Sequence, residues 1–153
     1  MKLDKIDKQL LELLQSDSKM NIKEISSILN ISKTPIYERI KKLEKERIIK
    51  KHVAILDTQK IETPMVVFCS VLLDSQKLQE IEKFSASIIK ISEVMECYLM
   101  GGTNDFLLKV VVKNLHDYHI FSSTKLASLP NVAQIKSTFV LNEIKHDTVL
   151  PIY

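Results

Sequence analysis

Eight residues within one short stretch carry the chemistry of nucleic-acid recognition. Thr34, Tyr37, Glu38 and Lys41 recur at helical spacing. Lysine can donate to guanine and glutamate can accept from cytosine, while Thr or Tyr can meet a thymine methyl or a phosphate. Ser32, Lys33, Lys42 and Lys45 surround them; the three lysines suit phosphate contacts, which position a protein on a duplex without specifying sequence. A second candidate lies at Gly101-Gly102-Thr103-Asn104-Asp105, where both glycines of the chain stand side by side. Backbone N–H groups exposed by glycine can hold a carboxylate, and Asp105 can hold an ammonium group. The plain alternatives are a solvated charged face for the first set and an ordinary turn capped by Asp105 for the second.

The first set needs a helix with two faces, and the sequence supplies one. Ile36, Ile40 and Leu43 share a stripe at 100° per residue, opposite the polar set. Ser32 stands at the N-cap position, and Pro35 falls in the first turn, where a missing N–H is harmless. A shorter helix precedes it over 22–29, with Asn21 and Glu24 spaced as a capping box and Ile22, Ile25, Ile28 and Leu29 read as inward. The joint between them is Asn30-Ile31-Ser32. Two short helices, a tight joint and a basic outer face on the second make a helix-turn-helix. An opening helix over 4–15 is capped by Asp4 and carries Ile6, Leu10, Leu13 and Leu14 on one stripe.

Residues 48–57 turn β-rich and read as a connecting strand, and Thr58 to Pro64 is polar and reads as a boundary. From Met65 the pattern changes. Apolar strands are expected over 66–73, 94–100, 105–112 and 132–141, with helices over 76–91 and 115–128 and a turn at Pro130-Asn131. That order, βαββαβ, is the ferredoxin-like unit. A further strand is placed over 142–149. The expectation is an α+β chain: a three-helix, winged-helix-like helix-turn-helix domain at 1–49, a connection at 50–64, and a ferredoxin-like domain at 65–153.

Composition agrees with this division. The chain has 153 residues and a net charge of +3. Residues 1–60 hold 14 Lys and Arg against 9 Asp and Glu; residues 61–153 hold 8 against 10. The excess positive charge sits with the helix-turn-helix, favouring a polyanion there and not elsewhere. No run approaches the ~20 apolar residues of a membrane span, and the N-terminus lacks an apolar export signal, so a cytoplasmic location is expected with no membrane partner. Cys69 and Cys97 stand apart in apolar surroundings and read as buried, reduced thiols. His116 and His119 lie three apart without a third ligand, so no metal is expected. Sequence motifs supply no nucleophile with its base, paired carboxylates or phosphate loop, so an enzyme is not expected.

Four segments together resemble the Lrp/AsnC, or feast/famine, transcriptional regulators: LDKIDKQLLELLQSDSK (3–19), ISKTPIYERIKKLEKERIIKKH (31–52), VMECYLMGGTNDFLLKV (94–110) and LPNVAQIKSTFVLNEIK (129–145). Gly102 and Asp105 match the family's Gly-x-x-Asp turn, and Thr138 stands at its threonine position. The resemblance implies an N-terminal domain that binds double-stranded DNA and a C-terminal domain that senses small amino acids. It implies homodimers formed through the sheets, commonly assembled into octamers, with the effector bound between dimers near that turn; no other cofactor is implied. Gly101, Gly102, Thr103, Asn104 and Asp105 become the effector candidates, joined by Ser137 and Thr138 on the adjoining strand. An architectural protein that wraps DNA without an effector is the competing function. Three departures stand out: Arg47 and Asn131 replace common glycines, and Thr103-Asn104 replaces an acidic and an aromatic residue.

Overall fold

A computed structural model describes residues 2–57, 60–61 and 64–153. The chain divides into two compact units, Met1–Leu56 with Lys145–Tyr153, and Asp57–Ile144.

The first unit holds three helices: α1 (Lys5–Ser16), α2 (Ile22–Leu29) and α3 (Lys33–Lys45). Each of the first two begins on a reciprocal capping box. Asp4 accepts from Asp7 N at 2.8 Å while Asp7 accepts from Asp4 N at 3.1 Å; Asn21 and Glu24 repeat the arrangement at 3.0 and 3.2 Å. These bonds satisfy N–H groups that a helix start leaves without partners. Leu10, Leu11, Ile25, Ile36 and Leu43 are buried, with Ile40, Leu29 and Ile31 packed around them. The left-handed Asn30 (φ 53°) and a bond from Ser26 Oγ to Ile31 O at 2.6 Å set the joint between α2 and α3.

The second unit is a four-stranded antiparallel sheet in the order β2-β3-β1-β4, with β1 Met65–Leu73, β2 Val94–Leu99, β3 Phe106–Val112 and β4 Val132–Phe139. Helix α4 (Leu78–Ile88) and helix α5 (Leu115–Ile120), prolonged by a π-helical segment (Phe121–Leu126), provide the core partners. Val67, Cys69, Val71, Leu73, Phe106, Leu108, Val110 and Val112 alternate along the two central strands and are buried with Phe84, Ile88, Tyr118, Phe121 and Leu126. This is the expected βαββαβ order.

Five local expectations are corrected. Residues 50–57 form no strand; extended backbone needs a neighbouring ladder, and among the described residues no strand pairs with them. Ile48 and Ile49 instead donate to Leu43 O and finish α3. Residues 142–149 form no strand either, and the tail beyond them folds with α1: Gln15 Nε2 donates to Leu150 O at 3.1 Å, Leu150 N donates to Gln15 Oε1 at 2.8 Å, and Ile152 joins the helical core. Ile28 is 57% exposed rather than inward, because α2 is short and its one fully buried position is Ile25. The stripe of α1 is rotated so that Asp7 is buried and Ile6 is not. Cys97 is exposed, since it lies on the edge strand β2 beyond the cover of the helices, whereas Cys69 is buried. Thr58, Gln59, Glu62 and Thr63, in the proposed boundary, lie outside the described residues.

Candidate nucleic-acid interface and ligand turn

Helix α3 is amphipathic as the spacing requires. Ile36 and Leu43 are fully buried, and Ser32, Lys33, Thr34, Tyr37, Glu38, Lys41, Lys42 and Lys45 are all exposed. The outer face has internal order: Lys41 Nζ lies 5.7 Å from the Tyr37 ring centroid and 3.8 Å from Glu44. Ser32 occupies the N-cap with extended backbone but makes no capping bond. A capping side chain bonds the N–H of the second or third helical residue, and the third here is Pro35, which has none. Among the described residues the Ser32 hydroxyl has no partner, which leaves it open to an external one.

Among the described residues, Arg39 is the one cation of α3 paired with a buried carboxylate. Its Nη1 lies 2.6 Å from Asp7 Oδ1 and 2.7 Å from Asp4 Oδ2. The Asp7 N–H and then the Arg39 guanidinium hold the Asp4 carboxyl below the usual carboxylate range, and the two carboxylates raise the Arg39 pKa in turn. The pairing fixes the start of α1 against the middle of α3. Sequence reasoning missed this role; its signal was two aspartates in the first turn of an otherwise apolar-faced helix.

In the second unit, Met100 N donates to Asp105 O at 2.8 Å and closes the turn between β2 and β3. Gly102 has φ +157°, which L side chains rarely adopt, yet a Cβ at either glycine would meet nothing within 4 Å. Asn104 Nδ2 approaches Thr103 Oγ1 at 3.4 Å. Asp105 Oδ2 accepts from Leu73 N at 2.7 Å and Gln76 Nε2 at 3.3 Å. The carboxylate thus closes the end of β1 rather than its own turn, leaving Oδ1 for another donor. Gln76 was not foreseen; nothing in its type or spacing marked it.

The structure separates the other two candidates. Ser137 pairs with Cys69 and Thr138 with Phe68, so they point to opposite faces of the sheet. Ser137 is bonded to Tyr118, whose hydroxyl also meets Cys69 Sγ at 3.2 Å. Burial pushes up both the Cys69 thiol and the Tyr118 hydroxyl. Thr138 lies on the open face, beside the central strand. Within one chain neither residue joins the Gly101–Asp105 turn, which sits at the Val71 and Leu73 end of the sheet. Among the described residues no group of three or more His, Cys, Asp or Glu is placed to hold a metal.

Residues 3–50 match the family model for a winged helix-turn-helix DNA-binding domain, and residues 66–150 match the Lrp/AsnC ligand-binding domain. This chain belongs to the Lrp/AsnC family. It is 35% identical to the Bkd operon transcriptional regulator of Pseudomonas aeruginosa, over 93% of each chain. It is 31% identical to the leucine-responsive regulatory protein of Salmonella typhimurium, covering 98% of this chain and 92% of that one. Among solved structures, a transcriptional regulator of Neisseria meningitidis in complex with L-methionine is 31% identical, with a TM-score of 0.87 over 98% of this chain and 97% of that one. Lrp/AsnC proteins are transcriptional regulators and not enzymes, and this chain carries both of their domains. The two departures from the family's glycines keep the glycine-like backbone: Arg47 has φ 57° and Asn131 φ 68°. No helix among the described residues is long and apolar enough to cross a membrane.

Proposed function

We propose that this regulator reads DNA through the outer face of α3 and responds to a small amino acid at the Gly101–Asp105 turn. Thr34, Tyr37, Glu38 and Lys41 meet base edges in the major groove; Ser32, Lys33, Lys42 and Lys45 hold phosphates. The observation that carries this reading is the two-sidedness of α3, with its apolar stripe buried and all eight recognition residues exposed. The effector takes its carboxylate to the glycine N–H groups and its ammonium to Asp105 Oδ1, with Thr138 supplied across a subunit boundary. The leucine-responsive relative and the methionine-bound neighbour support an amino acid as the ligand class. The assembly is a homodimer closed through the open face of the sheet, where Phe68 and Tyr98 are 36% and 50% exposed, and dimers associate into octamers in the cytoplasm.

A thermal-shift screen against the twenty amino acids tests the sensor. A ligand at 100 times its Kd stabilises by about 2.7 kcal/mol, which raises the midpoint of a chain this size by roughly 5–10 °C. The shift is expected with one or a few amino acids and is lost in Gly101→Val, where the added side chain meets open space within the chain and the backbone is not of the kind that only glycine favours. No shift with any amino acid, or a full shift in the variant, would remove the effector from this turn.

A further inference from the structure

Among the described residues, three other than glycine adopt a left-handed backbone: Asn30, Arg47 and Asn131. Two have an ordinary explanation. Asparagine tolerates this region; Asn30 caps α2, and the Asn131 amide donates to Ser75 O at 2.9 Å. Arg47 has neither excuse. Its backbone closes α3, with Arg47 N donating to Glu44 O and Ile48 N to Leu43 O, a helix ending that glycine makes without strain. Its side chain contributes nothing internal: it is exposed, and among the described residues the guanidinium has no hydrogen-bond or ion-pair partner. Strain kept at a position where the side chain holds nothing in place points to work done outside the fold. The neighbours share the property. Lys45, Lys50 and Lys51 are exposed and likewise without a salt-bridge partner among the described residues, so a cationic cluster continues past the C-terminal end of the recognition helix.

We propose that Arg47, with Lys50 and Lys51, forms a second anion-binding element of the DNA interface. It grips backbone phosphates flanking the groove that α3 enters, and it is separate from the residues that face the bases. A guanidinium presents a planar fork of donors that matches phosphate geometry, and it binds as a charge-assisted pair. The contact is with phosphate, so it strengthens binding to any sequence and adds to salt dependence without changing base preference. This inference rests on the DNA-binding reading of α3.

The test uses the full chain and a mixed-sequence 40-base-pair duplex, with binding measured from about 0.05 to 0.3 M salt. Arg47→Gly relieves the backbone and removes the charge; Arg47→Asn keeps a residue that tolerates the geometry and removes the charge; Arg47→Lys keeps the charge. In both neutral variants the affinity falls about three- to tenfold at ~0.15 M salt, as one lost charged contact implies. The salt slope becomes shallower by about 0.9 for each phosphate contact removed. The thermal midpoint of Arg47→Gly is unchanged or raised, which a purely structural arginine would not allow. Arg47→Lys retains most of the slope. An unchanged slope in both neutral variants overturns the proposal, whether or not affinity falls, because loss without a slope change reports only a disturbed helix end. Failure of the unaltered chain to bind the duplex at all overturns the reading of α3 as well.

Discussion

At the scale of single residues, charge in the first unit is sorted by partner. Arg39 and Lys42 are three apart on α3, yet one is tied to Asp4 and Asp7 and the other is exposed. Arg39→Ala is expected to destabilise the helical unit by about 2–3 kcal/mol, because it leaves Asp7, whose side chain is 7% exposed, without its cation. Chemical denaturation with and without the substitution measures this. The pH dependence has a definite sign. Asp4 titrates below its usual range in the folded chain, so its contribution is present above about pH 4 and is lost as pH falls through the folded value. Asp4→Asn should therefore flatten the stability profile on the acid side while leaving the alkaline side as it was. The same residues show where sequence reading stopped. The exposed set on α3 was legible because Ile36, Ile40 and Leu43, at i, i+4 and i+7, fix the opposite face. The burial of Asp7 was not, since an acidic residue counts as surface until its cation, 32 positions later, is brought beside it by the fold.

Among the elements, those whose partners lie nearby in sequence were the readable ones. The capping boxes and the alternating central strands announce themselves within a few residues, and α1, α2, α3 and the four strands appear where expected. The strands expected at 48–57 and 142–149 failed for the opposite reason. Apolar extended stretches look alike in sequence, but a strand exists only where a ladder partner is found, and that information is not local. The tail found side-chain and backbone partners on α1 instead. Helix α1 is therefore expected to depend on it. Gln15→Ala combined with Ile152→Ala should cost the helical unit about 2–3 kcal/mol, one lost hydrogen-bonding group and one truncated aliphatic side chain. Amide hydrogen exchange resolves this: α1 should exchange faster while the central strands β1 and β3 keep their protection. Equal loss of protection everywhere would show that the tail acts on the whole chain rather than on this unit.

For the molecule as a whole, the sheet has one face covered and one open. Val67, Cys69 and Val71 are fully buried, while Phe68 between them is 36% exposed. On that open face Tyr98 and Leu107 are directly paired across strands, and Glu96 is bridged to Lys109 at 3.2 Å. An antiparallel sheet tolerates water on one side, but aromatic and aliphatic groups at its centre favour a second copy. If the proposed dimer closes on this face, Phe68→Asp should raise its dissociation constant at least about 100-fold, or roughly 3 kcal/mol, by placing an unpaired charge at the centre of the contact. Sedimentation equilibrium reads this out, and an unaltered association state would move the interface elsewhere. Nothing in the sequence distinguished the two faces beforehand: β1 reads as a continuous apolar run, and only the placement of the helices shows which alternate residues remain uncovered.

The helical unit is built from two separate pieces of chain, residues up to Leu56 and residues from Lys145 onward. During synthesis on the ribosome its three helices emerge first, yet Leu150 and Ile152, which complete it, are translated only after the entire sheet unit has been made. A nascent regulator therefore carries an unfinished DNA-binding half throughout most of its production. The half that is first to emerge is thus the last to receive all of its packing partners.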